Sequence, residues 1–241
     1  MNHLLLAEGS FRAIESTNYV AFTFFVGTMA MMAAAVFFFF EVNNTSKEWR
    51  TSVLVSGLIT FIAAIHYYYM RGYNLETGQS PVFFRYVDWL LTVPLMCVEF
   101  YLITKKVGAK IGLLVKLILA SVIMLVTGYI GEAITPDSSA LWGTISGIAY
   151  FYIVYLVWFG EVAKLAKAGS PAVMAANKAL GWFVLAGWAI YPIGYIVGTP
   201  GGLFGMPVHI GLNMDIIYNI GDAINKIGFG LVIYSLSRKE A

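Results

Sequence analysis

Apolar positions in this chain fall in long unbroken blocks, without the strict alternation of a half-buried strand. Seven blocks can be read, at roughly 17–40, 51–70, 83–104, 110–131, 140–163, 175–198 and 211–236. Each holds about 20 residues or more, enough at about 1.5 Å per helical residue to cross a hydrocarbon layer about 30 Å thick. The links between them are short and rich in turn formers: Asn43-Asn44-Thr45-Ser46, Thr77-Gly78-Gln79-Ser80-Pro81, Thr135-Pro136-Asp137-Ser138, Gly169-Ser170-Pro171 and Thr199-Pro200-Gly201-Gly202. The pattern predicts an all-α membrane protein, a bundle of seven transmembrane helices forming a single domain over residues 1–241. No soluble domain, internal repeat or low-complexity tail is legible.

Composition sharpens this. Of 241 residues, 59% are hydrophobic and 12% charged, against about 45–50% and about 25% in soluble domains. So little charge cannot cover a water-facing surface, and the partner it implies is a lipid bilayer, not nucleic acid. The N-terminal run Leu4-Leu5-Leu6-Ala7 is too short for a signal peptide and follows no basic cluster, so the first span is expected to direct insertion. The one cysteine, Cys97, excludes an intramolecular disulfide and reads as a packing residue.

Where the charge sits gives orientation. Lys47, Arg50, Lys105, Lys106, Lys110, Lys164, Lys167, Lys178, Arg238 and Lys239 fall at odd-numbered links and the C-terminal tail, against Arg12 and Arg71 on the other side, ten to two. Basic residues favour the cytoplasmic face. The N-terminus is therefore expected outside and the C-terminus in the cytoplasm, an alternation that needs an odd number of spans.

The charges left inside the spans need a reason, because an ionisable group at mid-bilayer costs about 2.5–3.5 kcal/mol on insertion scales. In the third block Arg85, Asp88, Thr92 and Glu99 recur at steps of 3, 4 and 7 and share one helix face. Asp88 and Glu99 lie about 16 Å apart along the axis at helical rise. The seventh block carries Asp222 and, one turn on, Lys226. Asp222 and Lys226 alone could be a buried ion pair that only orders the bundle. A mid-span lysine with two carboxylates on its outer side and a third on its inner side fits a further chemistry: a lysine Schiff base, whose protonated nitrogen needs counter-ions that Asp88 and Asp222 can supply.

These residues resemble the microbial rhodopsins, and among them the proteorhodopsins. The third-span run RYVDWLLTVPLMCVEFYL, the sixth-span WAIYP (Trp188 to Pro192), the seventh-span DAINK (Asp222 to Lys226) and His66 in IHYYYMR carry the resemblance, which covers essentially the whole chain. It implies all-trans retinal bound to Lys226 as a protonated Schiff base, and a light-driven outward proton pump in the cell membrane rather than an enzyme. Asp88 would be the proton acceptor and counter-ion, Asp222 the second counter-ion and Glu99 the proton donor. Thr92 would complete the acceptor site, His66 would hydrogen-bond Asp88 and tune it, and Arg85 would organise water in the exit path. Trp89, Trp188, Tyr191 and Pro192 would box the retinal, with Pro192 expected to kink the sixth span. Met96, at the colour-tuning position, would place the chain with green-absorbing forms. Gly143, where relatives carry a ring, would open a window for an antenna carotenoid. Relatives also imply a homo-oligomer, a pentamer or hexamer. The sixth–seventh link, Thr199 to His209, holds no glutamate, so late proton release is expected. Competing readings are a retinal photosensor with a slow photocycle, a seven-helix receptor that never binds retinal, and a sodium pump, for which the acceptor and donor residues look wrong.

Overall fold

The structure, a computed structural model, describes residues 14–15, 17–202, 211 and 213–240. Arg12, the run Leu4 to Ala7 and positions 203–210 of the sixth–seventh link lie outside the described residues. Among the described residues seven helical spans are long and apolar enough to cross a membrane: Tyr19–Asn44, Arg50–Thr77, Val82–Val107, Ile111–Ile134, Pro136–Ala168, Pro171–Gly198 and Met214–Lys239.

Most spans outrun the apolar blocks that predict them. The second continues to Thr77, making Arg71 helical, and the fifth continues to Ala168, making Lys164 and Lys167 helical. A helical backbone satisfies its own hydrogen bonds whatever its side chains. Polar end turns can therefore extend past the hydrocarbon, where hydropathy no longer marks them. What stops these helices is turn chemistry. Gly78 ends the second at φ 67°, donating its N–H to Asn74 O, and Gly108 closes the third at φ 98°. A side chain at either would strain the left-handed backbone.

Five spans are single helices or nearly so: α1 (Tyr19–Asn44), α2 (Arg50–Thr77), α3 (Val82–Thr104), α4 (Ile111–Tyr129, running into a π-turn at Ile130–Ile134) and, for the seventh, α9 (Met214–Lys239). The fifth is α5 (Ser139–Trp158) followed by α6 (Glu161–Ala168). The sixth is α7 (Pro171–Trp182), a π-turn at Phe183–Gly187, and α8 (Ile190–Gly198). Consecutive spans pack on one another, and α9 returns to α1, α2 and α7, closing the bundle.

Burial is reversed relative to a water-soluble protein. Phe22, Leu119 and Phe151 are more than half exposed, while Asp88, Thr92, Glu99, Asp222 and Lys226 are buried. Apolar side chains face the lipid and the polar ones face one another. Cys97 is fully buried in the apolar core, as a packing residue.

The sixth span is interrupted, but not quite where Pro192 predicts. Trp188 N–H reaches back five residues to Phe183 O at 2.9 Å. Pro192 lacks an N–H and its ring crowds the carbonyl four residues earlier, so the wider turn sits just before it. The carbonyls this turn frees are taken by other helices. Tyr150 Oη donates to Leu185 O at 2.9 Å and lies 3.1 Å from Val184 O, and Asn225 Nδ2 donates to Gly187 O at 3.0 Å.

Candidate functional site

The third and seventh spans face each other across the bundle and bring their charges together. Lys226 Nζ donates to Asp88 Oδ2 at 2.6 Å and to Asp222 Oδ2 at 2.9 Å. All three side chains are no more than 2% exposed. Removing one partner from such a buried group leaves an uncompensated charge, at a cost of about 3–5 kcal/mol.

The two carboxylates are held very differently. Asp222 accepts from Tyr67 Oη of α2 at 2.7 Å, from Trp89 Nε1 of α3 at 3.1 and 3.2 Å, and from Tyr191 Oη of α8. Three other spans therefore fix it. Asp88 has Lys226 on Oδ2, while Oδ1 has no hydrogen-bond partner. His66 Nδ1 lies 3.4 Å from that oxygen. The ring nitrogen sits 2.9 Å from Ile62 O in its own helix, and since a carbonyl only accepts, the Nδ1 proton is aimed there. His66 thus points at its own helix while standing in ion-pair range of Asp88. Thr92 donates to the Asp88 backbone carbonyl at 2.9 Å, not to its carboxylate.

Arg85, one turn from Asp88, is buried and turned away from Lys226. Its guanidinium donates to Asp215 Oδ1 at 2.9 Å and to Asn219 Oδ1 at 3.1 and 3.2 Å. At the other end of the shared face of α3, Glu99 is fully buried. Ser56 Oγ donates to Oε1 at 3.3 Å, and Oε2 has no partner. Glu99 does not turn outward to an interface, and among the described residues it shares no hydrogen bond with the lysine group.

A cavity of about 430 Å³ lies against this group, bordered by Trp89, Trp188, Tyr191 and Pro192 and reaching Gly143. Trp89 and Tyr191, with ring centroids 4.7 Å apart, line the cavity and also bond Asp222, so the cavity begins one side chain from Lys226. A Cβ on Gly143 would stand 2.6 Å from Tyr195 Cε1. Met96 is buried in the core and does not line the cavity.

A family model for bacteriorhodopsin-like proteins matches residues 18–239. The chain belongs to the bacteriorhodopsin-like family. It is 42% identical over 254 residues to a green-light absorbing proteorhodopsin from an unknown prokaryotic organism and equally to a blue-light absorbing proteorhodopsin from Gamma-proteobacterium Hot 75m4. Each match covers 100% of this chain and 99% of the relative. Among solved structures it resembles xanthorhodopsin, described as a light-driven ion pump with dual chromophore, at TM-score 0.79 and 29% identity, covering 94% of this chain and 96% of the other.

Membership in the bacteriorhodopsin-like family makes this a seven-span protein of the cell membrane and implies retinal held on a lysine. The residues present fit such a group. An apolar, aromatic-walled cavity adjoins a buried lysine whose charge two carboxylates balance, and the π-turn widens the sixth span beside it. Sequence reasoning on this bacteriorhodopsin-like chain singled out Lys226, Asp88, Asp222, Trp89 and Tyr191, which the fold brings together, and Glu99, which it sets apart. It missed Tyr67, Asp215 and Asn219. Tyr67 is one of three consecutive tyrosines, and only the helix phase distinguishes the inward one. Asp215 sits at the very start of the seventh apolar block, in a helix first turn, where an acid is unremarked.

Proposed function

We propose that this chain is a light-driven proton pump that carries all-trans retinal on Lys226 and exports protons. The observation that carries the reading is the lysine held between an over-anchored carboxylate and an open one, with a third carboxyl isolated further along α3. Retinal bound there supplies a light-absorbing group whose change of shape alters the hold of Nζ on its proton. Asp222 keeps its charge, because Tyr67, Trp89, Tyr191 and Lys226 all donate to it. Asp88 is the acceptor, because it stands 2.6 Å from Nζ and has a free oxygen in Oδ1. Trp89, Trp188, Tyr191 and Pro192 wall the chromophore and exclude water. Glu99 Oε2, unpartnered and buried, is the atom from which Nζ regains a proton.

Direction follows from the basic residues. Ten against two support a cytoplasmic Glu99 end and an outer Arg85 end. A proton leaving Nζ toward Asp88 and replaced from Glu99 is a proton exported. The names of the relatives, proteorhodopsins and a light-driven ion pump, support this reading. Gly143 at the cavity edge, together with the likeness to a dual-chromophore pump, supports an antenna carotenoid as a second pigment.

The test is light-driven pH change in an unbuffered suspension of cells expressing the chain with added all-trans retinal. Acidification abolished by a protonophore, and absent in Lys226→Ala, is the expected result. A visible chromophore with no pH change would replace the pump by a photosensor, and no chromophore would overturn the retinal assignment.

A further inference from the structure

Arg85 lies one turn along α3 from Asp88, close enough to serve it, yet among the described residues no ion pair joins it to Asp88 or Asp222. Its charge is committed elsewhere. Nη2 pairs with Asp215 Oδ1 at 2.9 Å, and the two side chains are only 3% and 13% exposed. Both terminal nitrogens also donate to Asn219 Oδ1. The Asn219 amide is oriented by donating Nδ2 to Thr23 Oγ1 of α1 at 3.1 Å. Asp215 is clamped in turn by Ser80 Oγ, from the second–third link, at 2.7 Å on the same Oδ1. It occupies the first turn of α9, where the helix dipole favours an anion. The guanidinium carbon also lies over the rings of Phe24 and Tyr218, 5.4 and 5.1 Å from their centroids. Residues from the first and seventh spans and one link thus hold a single cation of the third span away from the lysine group.

We infer that Asp215 is a positioning residue for the proton-transfer site: by latching Arg85 outward it withholds a positive charge from Asp88, and so sets the pH at which Asp88 takes up a proton. This rests on the acceptor role proposed for Asp88. The charge count supports it. Among the described residues only Lys226 forms an ion pair with both carboxylates, His66 lies 3.4 Å from Asp88, and the ion pair of Arg85 is with Asp215. A cation freed toward Asp88 would favour its charged form. The other titratable groups facing Asp88 are His66 and Tyr67 of α2, Tyr191 of α8, and Asp222 and Lys226 of α9. Those facing the latch are Tyr67 of α2, Asp222 and Tyr218 of α9, the last with its ring against Arg85, and Glu132 of the fourth span, which accepts from Tyr86 Oη at 2.7 Å. None of these groups is changed by the substitutions below.

The experiment is an absorbance titration of the full-length, retinal-loaded protein, following the colour change that protonation of the acceptor produces. In Asp215→Asn the midpoint is expected to fall by about one pH unit. In an Arg85→Gln background the same substitution should move it by less than about a third of that, because Asp215 acts through the arginine. Should Asp215→Asn not fold, Asp215→Ser carries the same expectation. An unmoved midpoint in Asp215→Asn, or an equal shift with and without Arg85, would overturn the latch. A transition that persists in Asp88→Asn, or a wild type without a chromophore, would instead overturn the acceptor assignment and the latch with it.

Discussion

Tyr67→Phe isolates one hydrogen bond at the most heavily anchored point of the bundle. Tyr67 is fully buried, and its ring packs edge-on against Phe24 at 5.5 Å, a contact phenylalanine keeps. The substitution removes only the hydroxyl. That hydroxyl has one proton and two acceptors in reach, Asp222 Oδ2 at 2.7 Å and Tyr218 O at 3.3 Å, and the shorter, charged one takes it. A neutral interhelical hydrogen bond in a membrane protein averages about 0.6 kcal/mol, whereas one to a charged group contributes about 1.5–3 kcal/mol. Charge assistance should win here, because the carboxylate is buried and water cannot replace the lost donor. A loss of about 2 kcal/mol is therefore expected in SDS-induced unfolding, followed by the absorbance of the bound chromophore. Tyr68→Phe, with its neighbouring side chain 40% exposed, is the control and should change little. If Tyr67→Phe costs no more than about 0.6 kcal/mol, or no more than Tyr68→Phe, Tyr67 is not an anchor of Asp222, and the asymmetry that makes Asp88 the acceptor loses its main support.

Three further outcomes follow from the site. Asp88→Asn should retain a visible, shifted chromophore and lose light-driven acidification, since of the two carboxylates on Lys226 the one with an open oxygen is gone; transport at the wild-type level would remove Asp88 from the acceptor role. In flash photolysis Glu99→Gln should slow recovery by about 100-fold, the scale of a positioned proton donor, while leaving the first proton step intact; unchanged recovery would leave Glu99 without a part in transport. Gly143→Phe must displace Tyr195, whose ring a Cβ already meets at 2.6 Å. It should abolish sensitised excitation of retinal by an added hydroxylated carotenoid while keeping retinal absorbance, and the carotenoid proposal falls if the unsubstituted protein shows no sensitisation at all.

Most of the fold was legible because a bilayer imposes one strong rule: apolar side chains for the length of each crossing. The rule weakens at helix ends, where Arg71, Lys164 and Lys167 continue helices that hydropathy stops short of. It is silent on backbone irregularity, so Pro192 could signal a break without locating it at Phe183–Gly187. Within the site, the buried charges announced themselves by their cost, and periodicity put Arg85, Asp88, Thr92 and Glu99 on one face. What periodicity cannot give is the partner. Thr92 serves a carbonyl, His66 is aimed at its own helix, and Arg85 turns toward Asp215 on a helix more than a hundred residues away in sequence. Such choices depend on rotamers and on helix phase across the bundle, which a single chain of letters does not encode locally.

The notch in the sixth span has a mechanical meaning. Bending an intact helix means breaking ladder bonds, but between Trp182 and Ile190 that ladder is already rerouted onto Tyr150 and Asn225. Beyond the notch, the 12 residues of α7 form a stiff arm about 18 Å long. A swivel of about 10° at its root would carry the tip, at Ser170, sideways by about 3 Å, roughly the width of a water molecule. The same arm carries Asn177, whose Nδ2 grips Val157 O of the fifth span at 3.2 Å. With Trp158 Nε1, which donates to Gly181 O at 3.1 Å, that bond ties the arm to the fifth span and opposes an outward swing that would open the half of the bundle holding Glu99.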